Sequence, residues 1–80
     1  MADIAILKTR IEKLRDLAVA RKTNQGLVVY DAILKRLNDP LTEVEVDELF
    51  DLLKKSLSGI EAHGYFTEVE FEVVTEIRNM

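Results

Sequence analysis

The sequence predicts an all-α fold, an irregular antiparallel bundle of four helices over about 3–22, 25–38, 43–63 and 68–78. Three observations predict it. Apolar residues recur at steps of three and four through most of the chain, the period of one helix face. The tetrapeptide TEVE occurs twice, at 42–45 and 67–70, each time behind a bulky apolar residue, and each copy fits a helix start. The turn-forming stretches KTNQG, NDP and HGY fall between the periodic segments.

The first helix carries Ile4, Leu7, Ile11, Leu14 and Ala18 on one face, with Asp3 as its N-cap. Lys8, Arg15 and Lys22 line one flank of that seam, and Arg10 and Arg21 the other. Thr23, Asn24 and Gly26 break the pattern, and Asn24 is the expected opener of the second helix. That helix reads LVVYDAILKRL and stops at Asn38, because Pro40 disfavours helical dihedrals in the residue before it.

Thr42 and Glu45, stapled by Leu41 and Val46, make a capping box for the third helix. Its inward face is Val46, Leu49, Phe50, Leu53, Leu57 and Ile60, interrupted by Gly59 at a cost of about 1 kcal/mol relative to Ala. Gly64 is the expected left-handed stop, followed by the apolar Tyr65, with His63 near the negative end of the helix. Thr67 and Glu70, stapled by Phe66 and Phe71, open the fourth helix, which turns Val69, Val73, Val74 and Ile77 inward.

Eighty residues make one domain with one modest core, since a chain of this length buries only about three fifths of its unfolded surface. With no Cys, neither a disulfide framework nor a thiolate metal site is available. No apolar run approaches the roughly 20 residues of a membrane span. Asp3 stands where a signal peptide would be positive, so a soluble, unprocessed, cytoplasmic chain is expected. The net charge of −4 hides an asymmetry. Residues 1–37 hold eight bases and four acids, whereas residues 38–80 hold three bases and eleven acids. Such segregation fits pairing of the basic flanks of the first helix with acidic flanks of the third and fourth, or two different external partners.

Residues 59–71 resemble an EF-hand calcium loop: Gly64 falls at the central glycine, Phe66 at the apolar eighth position and Glu70 at the bidentate twelfth. The resemblance implies a pair of helices around a loop. Gly59, Glu61 and His63 occupy the first three ligand positions, which argues against a bound cation and for a degenerate EF-hand-like pair at most. One His, no Cys, and two Ser without a surrounding motif give no catalytic constellation. We therefore expect no enzyme activity, no cofactor and no metal.

The excess of apolar surface carries more information. Leu27, Tyr30, Ile33, Leu34 and Leu37 complete one face of the second helix, yet Val28, Val29 and Ala32 lie elsewhere on it, and Val44 and Leu52 lie off the core stripe of the third. These five are the expected apolar contacts to a partner. Glu43, Asp47, Glu48 and Asp51 on the third helix, with Glu68, Glu72 and Glu76 on the fourth, are the expected acidic contacts that steer a basic partner. The function so implied is that of a non-catalytic protein–protein interaction module, a small regulatory, adaptor or inhibitor protein, whose partner is either a second copy of the chain, as a homodimer, or a different protein. The alternative is a nucleic-acid-associated regulator using the basic first half.

Overall fold

The computed structural model describes residues 3–24, 26–64 and 66–80. Among the described residues the regular structure is four helices without a strand: α1 (Ile4–Ala20), α2 (Leu27–Leu37), α3 (Glu43–Ala62) and α4 (Glu68–Arg78). The expected bundle is therefore present, and its helices fill an envelope of 33 × 20 × 18 Å.

Asp3 caps α1 by accepting the Ile6 amide at 3.2 Å. The helix ends at Ala20, two residues earlier than expected, because Lys22 turns left-handed at φ 57°. The Lys22 amide then donates to the Val19 carbonyl and the Thr23 amide to the Ala18 carbonyl, which is the paired bonding of a Schellman stop. The opener of α2 is Gly26 rather than Asn24. Gly26 sits at φ 82°, and a Cβ built there would lie 2.8 Å from the Tyr30 ring. Only glycine satisfies both the left-handed backbone and the aromatic packing. Gln25 and Tyr65, the expected first residue of the second helix and the apolar residue after Gly64, lie outside the described residues.

Both TEVE segments form complete capping boxes. The Glu45 amide donates to Thr42 Oγ1 at 3.2 Å while Glu45 Oε1 accepts the Thr42 amide at 3.2 Å, and Glu70 and Thr67 repeat the exchange. His63 is the C-cap of α3, and Gly64 follows at φ 72° as the expected left-handed stop, its amide donating to Glu61.

All four helices supply one contiguous core. It holds Leu7, Ile11, Leu14 and Ala18 from α1, Tyr30, Ile33 and Leu37 from α2, Leu49, Leu53, Leu57 and Ile60 from α3, and Val73, Val74 and Ile77 from α4. The inward face of α4 differs from expectation. Val69 is exposed, and Glu70 takes the inward position at 1% exposure. Residues 70, 73, 74 and 77 make the tighter helical stripe; a carboxylate completes it because Arg21 Nη2 meets Glu70 Oε1 at 2.8 Å. Packed against this pair, the Tyr30 phenol is pushed up to about 12, first by burial and then by the Glu70 carboxylate, with Arg21 pulling the other way.

Lateral order follows from the polar pairs. Arg15 with Asp31 and Lys8 with Asn38 set α1 antiparallel to α2. Arg10 with Glu76 and Arg21 with Glu70 set it antiparallel to α4. The two flanks of α1 thus face α2 and α4. The ion pairs seen for the α1 flanks among the described residues run to Asp31 of α2 and to Glu70 and Glu76 of α4, so of the two acidic helices expected to pair with α1 it is α4 that does so.

Candidate interaction surface

α2 and α3 are joined by five residues and lie side by side, and a shallow groove of about 310 Å³ runs between them. Its lining brings together four of the five apolar residues singled out from the sequence: Val28, Val29, Ala32 and Leu52. Val28 is 81% exposed and Leu52 56%, so each presents most of a branched side chain to solvent on opposite sides of the groove. Val29 is half-buried and packs against the core. The fifth residue, Val44, is 65% exposed but stands outside the groove, near the start of α3.

The groove also has residues that sequence reasoning missed. Ile33 and Leu49 form a floor continuous with the core, and Arg36 and Ser56 supply the polar edge. Periodicity places Ile33 and Leu49 in the core; that they also face an opening follows only from how far apart α2 and α3 sit. The field of Arg36 reaches Glu45, whose carboxyl is held below its usual range, chiefly by the Thr42 amide, then by the Thr42 hydroxyl, with Arg36 contributing further. The groove is thus an apolar trough with Arg36 and Ser56 as its polar lining.

The seven acidic candidates are all exposed and none lines the groove. Glu43, Asp47, Glu48 and Asp51 project from α3, with Asp51 3.6 Å from Lys54. Glu68, Glu72 and Glu76 project from α4, and Glu76 is tied to Arg10, which meets its carboxylate at 3.4 Å and donates to its carbonyl at 3.2 Å. These acids contribute a field around the molecule and make no common pocket.

A second concavity, between α1 and α2, is lined by Lys8, Glu12, Arg15, Asp16, Asp31, Leu34 and Asn38. Its charges are of both signs, Arg15 is paired with Asp31, and the Lys8 ammonium donates to the Asn38 amide oxygen, so the lining does not present one sign of charge to a ligand. The EF-hand likeness does not extend to geometry. Gly59 through Ala62, the first four positions of a twelve-residue loop, are helical and belong to α3, so the first two ligand positions sit in a helix instead of a loop. Among the described residues no three His, Cys, Asp or Glu side chains cluster closely enough to hold a metal. No described helix is long and apolar enough to cross a membrane.

No protein-family model matches the chain, no curated protein matches it, and no solved structure matches it.

Proposed function

We propose that this protein is a non-catalytic protein–protein interaction module whose contact surface is the groove between α2 and α3. A single observation carries the reading. Two branched side chains, Val28 and Leu52, stand largely in solvent on either side of a trough floored by Ile33 and Leu49. Exposed apolar surface of this kind, rimmed by polar groups, marks a binding site in a small protein. The occupant that fits is an apolar helix edge, because a straight trough between two helices receives side chains spaced at three and four residues. The acidic residues of α3 and α4 act on the approach of a partner and on its orientation rather than on affinity.

The pairing of the α1 bases supports this choice over a nucleic-acid interface. Arg10, Arg15 and Arg21 each lie within ion-pair distance of a carboxylate, on two different sides of the helix. Phosphate binding needs a continuous positive face.

The test is capture from a native host extract by the immobilised full chain, run beside Val28→Glu, Leu52→Glu and the off-groove control Val69→Glu. Retention by the wild type and the control, with loss in both groove variants, is expected. Equal capture by all four proteins, or none by any of them, would overturn the reading.

A further inference from the structure

We infer that the partner seated on this surface is a second copy of the chain, docked through α3 in an antiparallel, two-fold arrangement whose axis passes beside Leu52. The inference deepens the interaction-module reading and rests on it.

Val44, Glu48, Leu52, Lys55 and Gly59 follow one another along α3 at steps of four, four, three and four, so they lie in one stripe on its outer face, and Leu52 is the member of that stripe that also lines the groove. Every one of them is exposed. The stripe is complementary to its own reversal. When α3 is laid antiparallel on another α3 about a centre between Asp51 and Leu52, Glu48 falls opposite Lys55 of the second copy, and Lys55 opposite its Glu48. Val44 falls opposite Gly59. A Cβ added at Gly59 would meet nothing within 4 Å among the described residues, so the backbone there is bare of them and a neighbouring valine can approach closely. Leu52 falls beside the axis, where it meets its own counterpart and the open side of the Val28, Val29 and Ala32 trough.

The same register explains residues that are otherwise unaccounted for. Gly59 interrupts a helix at a penalty, and nothing among the described residues of its own chain requires it. Val44 lies outside the groove yet is largely exposed, and the reversed pairing gives it a place. Asp51, the acid nearest the axis, is already engaged by Lys54 at 3.6 Å, which limits repulsion between the two copies. A two-fold contact is self-complementary by construction, and opposite charges placed symmetrically about it set register more than strength.

Sedimentation of the full chain from low micromolar to millimolar concentration tests the inference. The wild type is expected to show a concentration-dependent monomer–dimer equilibrium, and Leu52→Glu to weaken it at least about 100-fold. Glu48→Lys alone and Lys55→Glu alone should each weaken self-association about tenfold, since each sets like charges opposite one another twice. Mixing those two variants should restore dimer, because both cross-pairs are then opposite in sign. All three positions are exposed, so helical circular dichroism and thermal midpoints should remain close to the wild type. A wild type monomeric at every concentration overturns the inference, as does a dimer indifferent to Leu52→Glu. A mixture that fails to recover dimer overturns the register. Should sedimentation give only monomer while host capture still depends on Val28 and Leu52, the interaction-module reading stands and only its occupant changes.

Discussion

Arg21 Nη2 lies 2.8 Å from Glu70 Oε1, and that same carboxylate oxygen accepts the Thr67 amide at 2.8 Å. A single atom therefore joins the C-cap of α1 to the N-terminal turn of α4. Glu70 is almost wholly buried and Arg21 about a third exposed, so the guanidinium is partly hydrated while the carboxylate depends on its protein partners.

Replacing Glu70 with Gln keeps an oxygen for the Thr67 amide and removes the charge facing Arg21. Breaking a fully buried pair costs about 3–5 kcal/mol; with Arg21 reaching solvent, we expect about 1–3 kcal/mol for Glu70→Gln. A double-mutant cycle with Arg21→Met in urea should return a coupling above about 1 kcal/mol. Additive losses would show that the two side chains are adjacent without being energetically linked.

The two capping boxes have the same sequence but different surroundings. Thr42 and its box face solvent, whereas the Thr67 box is part-buried and shares its glutamate with Arg21. Thr42→Ala should cost about 0.5–1 kcal/mol and Thr67→Ala about 1–2 kcal/mol. Equal urea midpoints for the two variants would remove the distinction.

Gly26→Ala and Gly64→Ala both place a Cβ on a left-handed backbone, at φ 82° and 72°. Only at Gly26 does the new atom also meet an aromatic ring, 2.8 Å away. The strain alone is about 1–2 kcal/mol, so Gly64→Ala should lose that much and Gly26→Ala clearly more. Thermal melts showing identical losses would mean that the Tyr30 ring yields without penalty.

Stability should decline in alkali through Tyr30. Its folded value is raised to about 12 against an ordinary 10, so the unfolded chain releases the proton first. The stabilisation is therefore complete below pH 10 and disappears as pH climbs toward 12, by an amount on the order of 2 kcal/mol. Tyr30→Phe should flatten this part of the stability profile relative to the wild type. A mutant that falls in parallel with the wild type from pH 10 to 12 would assign the alkaline loss to other groups.

The legible parts of the fold were those governed by local chemistry. Thr42, Thr67, Gly64 and Asp3 act within one turn of the backbone, and each does what its neighbours in sequence require. Sequence alone places Gly26 in a loop, because the ring that demands it comes from Tyr30, one helical turn onward, and packs over it only once α2 is formed. Glu70 was the harder case. Its spacing with Val73, Val74 and Ile77 favoured the interior and its charge favoured water; Arg21 decides between them from the far side of the chain. Of the candidate surface, Val28, Val29, Ala32 and Leu52 were recognisable as surplus apolar residues, but their convergence on one groove depends on the separation of two helices.

The seam between α1 and α4 has a kinetic consequence. Arg15 and Asp31 on the α1–α2 side are 16 residues apart, whereas Arg10 and Glu76 on the α1–α4 side are 66 apart. Closing the shorter loop sacrifices less chain entropy, so we expect the α1–α2 hairpin to assemble early and α4 to dock late. Contacts absent from the folding transition state leave the refolding rate unchanged and appear in the opposite direction. Loss of the Arg21–Glu70 contact should accordingly make the molecule open faster without making it slower to form, and the lifetime of the native state depends on its last helix.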